Sequence, residues 1–226
     1  MPTPWIRSVQ QTGNLTVFPT PQFLSASAWG GVLLTQILDE FNRLASANLF
    51  GLRLLRGAAA PSPTGSGANV QIEVTSGDCK FFDHKGDEQH ETLPFRPGEV
   101  HGRTAKIVVP SARKIGWAFV FVPINPTLGV GQRTVGPGIR MGLALHELLH
   151  ACGLDADDPG HERPPGNQAP IDGDFFMTDG VVVPGSKPEL DKEFYGSKMM
   201  PNASGQFSVT GQTVNLVQSI WLFGQF

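Results

Sequence analysis

Cysteine is almost missing from this chain of 226 residues, with Cys79 and Cys152 the only two. Two thiols make no disulfide scaffold; they read as small buried hydrophobes, with a Cys79–Cys152 bond left open. Charge is also sparse, at 16% of residues, and 17 Lys and Arg against 20 Asp and Glu leave a net charge of -3. No basic cluster offsets that balance, which argues against nucleic acid or an anionic membrane as main partner. Long apolar runs are lacking, so no membrane insertion is expected. The opening "MPTPWIRSVQ" has neither an apolar core nor a small-residue cleavage site; no signal peptide is read there and the compartment stays unassigned. What the chain has in quantity is glycine and proline, 27 and 19, beside a hydrophobic fraction of 40%. That combination describes a folded domain with a real core and many turns and long loops.

Hydrophobic spacing divides the chain into a regular part and an irregular one. "NLTVFPT" (Asn14 to Thr20) predicts a strand ended by proline. From Ser27 to about Asn48, Trp29, Leu33, Ile37, Phe41 and Leu44 recur at helical spacing and give a stripe broad enough to lie on a sheet. "GLRLLR" (Gly51 to Arg56) and the alternation at Val70, Ile72 and Val74 predict two more strands. Ser76 to Arg103 reads as a polar loop. "AKIVVP" (Ala105 to Pro110) and "GWAFVFVP" (Gly116 to Pro123) predict further strands, the second apolar on both faces and so interior. A helix is expected from near Pro137. Beyond Gly153, residues 154 to 208 are rich in Pro, Gly and Asp without periodicity, and a last helix is expected from Thr210 to Leu222.

The chemistry is concentrated in "LALHELLHACGLDADDPGHE" (Leu143 to Glu162). Residues four apart on a helix project from one face about 6 Å apart along the axis. His146 and His150 therefore can both reach one tetrahedral zinc ion. Glu147 lies beside the first, placed to take a proton from water at the metal's open side and to pass it to a leaving amine. Gly153 stands where the helix needs a residue tolerant of left-handed geometry in order to turn.

"HELLHACG" resembles the metzincin clan of zinc metallopeptidases, in which a third His follows the Gly by three residues and a Met-turn comes later. Here that third position is Ala156, which binds no metal. The candidates nearby are Asp155, Asp157, Asp158 and His161. His161 is favoured because imidazole is the commonest zinc ligand and a loop longer by five residues is plausible, with Asp157 second. A gluzincin-like third ligand at Glu189 or Glu193 is the internal competitor, but the early helix break at Gly153 speaks against it. "YGSKMMPNASG" is similar to the Met-turn of matrixins, with Met199 at the turn position, although methionine also fills ordinary cores.

The resemblance implies a single α/β (α+β) catalytic domain over residues 1–226. Its parts would be a twisted mixed five-stranded sheet with a backing helix and an active-site helix (residues 14–153), and an irregular lower subdomain closed by a helix (residues 154–226). It further implies an edge strand at Ala105 to Val109 and zinc-dependent hydrolysis of polypeptide substrates; any latency would come from an inhibitor or assembly partner, or from a longer precursor. His84, His90 and His101 in the polar segment are a weaker candidate for a second metal site, since matrixins hold structural zinc and often calcium there. Asp172 and Asp174 in "IDGDFF" read first as a plain turn, which Asp and Gly favour, with calcium binding or a cap on the loop near the zinc as the lesser alternative. The competing reading is a catalytically silent zinc-binding module of a larger assembly, against which the presence of Glu147 counts.

Overall fold

The computed structural model describes residues 2–93, 102–128, 133–134, 137–155, 176–178, 207–209 and 211–222. In chain order these form α1 (Arg7–Gln10), β1 (Asn14–Pro19), α2 (Pro21–Ser25), α3 (Gly30–Ala47), β2 (Arg53–Arg56) and β3 (Val70–Thr75). Next come β4 (Asp78–Phe82), β5 (Glu88–Thr92), β6 (Arg103–Val109), β7 (Lys114–Pro123), β8 (Thr127–Leu128) and β9 (Arg133–Thr134). The chain continues through α4 (Pro137–Ala151), β10 (Phe176–Thr178) and β11 (Phe207–Val209) to α5 (Gly211–Trp221).

The architecture is mixed α and β around a five-stranded sheet in the order β2-β1-β3-β7-β6. Strands β2, β1, β3 and β7 run parallel, and β6 returns antiparallel at the edge. The edge position expected for residues 105–109 is thus the observed one. Helix α3 begins at Gly30 rather than Ser27: Trp29, at φ -119 and ψ -111, lies outside helical geometry and Gly30 turns in at φ 85, while the Trp29 indole Nε1 donates to Pro123 O at 2.8 Å. Its stripe of Leu33, Leu34, Ile37, Leu38, Phe41 and Leu44 is buried on the sheet together with α4 and α5, in one core that runs from Trp5 to Trp221.

Strand β7 is buried on both faces because it serves two cores. Ala118, Val120 and Val122 face the helices, while Trp117, Phe119 and Phe121 face the other way onto Phe81 and Phe82 of β4. A register shift opposite Ile107 and Val108 leaves Gly116 as the extra residue. That bulge turns Ile115 to the helical side although it is two residues from Trp117. The polar segment expected to be loop contains the β4–β5 hairpin, which covers this second face. Its turn is closed by Asp83, whose Oδ1 accepts from Lys85 N at 2.8 Å and Asp87 N at 3.0 Å. The irregular stretch after Gly153 also contributes one pairing, β10 with β11.

Cys79 and Cys152 are both buried and both free thiols. Burial pushes the Cys79 thiol up to about 11. The folded state then favours the neutral thiol, while the unfolded chain ionises from the ordinary value of 9.0. Stability contributed by this group is complete below about pH 9 and falls as pH rises towards about 11. Urea midpoints for wild type and Cys79→Ala are therefore expected to differ by less at pH 10.5 than at pH 8. An unchanged gap would remove the burial argument.

Candidate metal centre

Helix α4 opens with Pro137, whose missing N–H costs nothing at a first helical position. From Met141 to Ala151 the helix is buried nearly all round, and only His146 and His150 keep partial exposure. Their rings are neighbours on one face of the helix, with centroids 4.9 Å apart and planes at 79°. Two nitrogens on one tetrahedral zinc stand about 3.3 Å apart, at Zn–N distances of about 2.0–2.1 Å. A centroid spacing of 4.9 Å leaves both rings within reach of one such ion.

The ring nitrogens of His150 are not equivalent. Nδ1 lies 3.0 Å from Leu154 O, and a carbonyl can only accept, so Nδ1 carries the proton. The neutral ring then has its lone pair on Nε2, the arrangement that metal-ligating histidines adopt.

The end of α4 is fixed from both ends of the chain. Gly153 turns with φ 121, and a Cβ there would lie 2.4 Å from Thr3 O. Gly153 N donates to His150 O at 2.9 Å, and Gly153 O accepts from Thr3 N at 2.7 Å. Trp5 Nε1 donates to Ala151 O at 2.8 Å, and Trp221 Nε1 to Cys152 O at 3.0 Å. Carbonyls that a helix end leaves orphaned are thereby satisfied.

Glu147 is only 4% exposed and is seated against the start of β6. The Thr104 hydroxyl lies 2.6 Å from Glu147 Oε2 and 3.0 Å from Glu147 O, so its single proton is shared, mainly towards the carboxylate. Gly102 passes directly over the side chain: a Cβ there would fall 2.5 Å from Glu147 Cγ. Gly102→Ala is therefore expected to cost about 1–3 kcal/mol through overpacking. An unchanged thermal midpoint would mean that the strand does not rest on Glu147.

Of the four nearby candidates for a third ligand, Asp155 alone lies within the described residues. Lys106 Nζ donates to its Oδ1, and the Thr3 hydroxyl lies 3.3 Å from its Oδ2. Asp157, Asp158 and His161 lie outside the described residues, as do Met199, Asp172, Asp174, Glu189 and Glu193. Among the described residues, no group of three or more His, Cys, Asp or Glu side chains comes together as a metal would require.

For the second-site candidates, His84 is exposed at the β4–β5 turn and His101 lies outside the described residues. His90 on β5 has Nε2 at 2.8 Å from Glu88 Oε1 and Nδ1 at 3.2 Å from Asp78 Oδ1. Hydrogen bonds to Glu88 and Asp78 raise its pKa, favouring the imidazolium over a metal-binding neutral ring.

Sequence reasoning missed Gly102, Thr104, Lys106, Trp5 and Trp221. The only local signal was the alternation in "RTAKIVV", which gives β6 a polar side without saying what it meets. Among the described residues no helix is long and apolar enough to cross a membrane. No protein-family model matches the chain, and no curated protein matches it.

Proposed function

We infer that the chain is a zinc-dependent endopeptidase of metzincin-like design. His146 and His150 supply two metal ligands, His161 the third with Asp157 as its alternative, and Glu147 is the general base. Met199 forms the floor of the site. The observation that carries this reading is the pair of imidazoles 4.9 Å apart on one helical face. Beside them stands a carboxylate whose Oε2 is 2.6 Å from a hydroxyl of the edge strand.

His146 and His150 would hold a zinc ion, which would supply Lewis acidity towards a peptide carbonyl and lower the pKa of water towards neutrality. The chain's own residues do the rest. Glu147 takes the proton of the attacking water and returns it to the departing amine nitrogen. Thr104 donates to Glu147 Oε2 and so orients the carboxylate. Strand β6, last in the sheet, offers its backbone to an extended polypeptide, which would add as a further strand alongside the helix that carries Glu147.

The zinc-loaded full chain is expected to cleave casein and to stop when a chelator is added. Casein left intact by a chain that holds zinc would sink the peptidase reading and leave an interaction module in its place.

A further inference from the structure

The main-core side of β6 carries two polar residues, Thr104 and Lys106, opposite Val120 and Ala118 of β7. Cross-strand partners share a face, so the lysine stem runs beside the small Ala118 side chain towards the end of α4. There Lys106 Nζ lies 2.7 Å from Leu154 O and also donates to Asp155 Oδ1. Leu154 O is the same carbonyl that accepts from His150 Nδ1 at 3.0 Å. Leu154 lies past the last residue of α4, so no helical ladder sets the direction of its carbonyl. The lysine side chain is only 14% exposed, and Asp155 balances its charge.

We propose that Lys106 is a positioning residue for His150: by gripping Leu154 O from the edge strand, it holds the imidazole as the Nδ1–H tautomer and so strengthens metal binding. The proposal rests on the metal-site reading above and adds a residue to it. A carbonyl accepting from two donors at once is fixed in direction by the stiffer one. Here the ammonium comes from a strand held in register and is anchored at two points, Leu154 O and Asp155 Oδ1, so the carbonyl that meets His150 Nδ1 is held from the far side. The Thr3 hydroxyl, 3.3 Å from Asp155 Oδ2, extends the same chain of contacts to the N-terminal segment. Groups that orient a metal's histidine typically change affinity by about 10–100-fold when removed. Lys106 acts one step further out, through the carbonyl.

Zinc affinity of the full chain, measured by competition with a chromophoric chelator, is the direct test. Lys106→Met keeps the stem and removes the charge; it is expected to weaken zinc binding about 10-fold. Lys106→Arg, which can still grip a carbonyl and a carboxylate, is expected to recover most of that loss. Thermal midpoints of the zinc-free variants separate this effect from a general loss of structure, which would lower the midpoint of both variants alike. Binding by Lys106→Met equal to or tighter than wild type would overturn the proposal. Wild type that binds no zinc would overturn the metal-site reading itself. A second measurement is independent of the variants: ring nitrogen-15 shifts of the zinc-free wild type at pH 8 are expected to show His150 protonated on Nδ1. The opposite tautomer would overturn the assignment even if Lys106→Met did not fold.

Discussion

Glu147→Gln is expected to lower casein cleavage by about 100- to 10,000-fold, the range general acid–base catalysis supplies, while zinc stoichiometry stays at the wild-type value. The amide has nearly the volume of the carboxylate and fits the same space between Gly102 and Thr104. Its oxygen still accepts from the Thr104 hydroxyl, but as a neutral partner, so the fold loses about 1 kcal/mol of a charge-assisted hydrogen bond. What the amide lacks is the ability to take a proton. A rate loss of this size amounts to about 3–5 kcal/mol of transition-state stabilisation, well above the structural change. The loss is expected in kcat, with KM little altered, because the interaction removed forms only as the reaction proceeds. Retained activity in the amide variant would exclude Glu147 as the base. Lost zinc would show that the substitution had damaged the site rather than the chemistry.

The sequence made local repeats visible and left their meeting points hidden. Strand β3 and helix α3 announce themselves by a period that each stretch carries within itself, β7 by its unbroken apolar run, and His146 and His150 by their four-residue spacing. Strand β5 does not. Its residues "EQHET" are all polar and exposed or half-exposed, because the hairpin's apolar contribution comes from Phe81 and Phe82 on β4. The division of β7 between two cores was legible only as a strand apolar on both faces; the bulge at Gly116 that sorts Ile115 from Trp117 depends on pairing with β6. In the site, Thr104 and Glu147 are separated by 43 positions, and which face of α4 turns towards β6 is settled by packing, not by local spacing. The motif therefore named the chemical groups, and tertiary structure alone supplied what holds them. Apart from Asp155, the candidates for a third ligand, and Met199 with them, lie outside the described residues.

Trp5→Ala is expected to destabilise the fold by about 3–5 kcal/mol, a large share of the 5–15 kcal/mol typical of a domain. Trp5 is fully buried, and its segment is stitched to β7 by Ile6 N donating to Ile115 O at 2.9 Å and Ile115 N donating to Pro4 O at 2.8 Å. The indole closes the end of α4 through Ala151 O. Trp5→Phe separates the two contributions. It keeps most of the apolar contact and loses only the hydrogen bond, leaving a buried helix-end carbonyl short of a partner at a cost of about 1–3 kcal/mol. Urea unfolding of the zinc-free proteins should therefore rank wild type, Trp5→Phe and Trp5→Ala in falling order. Ala151 follows His150 directly, so the same order is expected for zinc affinity if the helix end is what aims the imidazole. An unfolding midpoint for Trp5→Ala equal to wild type would mean that the N-terminal segment does not pack beneath the motif, and the account of how the turn at Gly153 is held would fail with it.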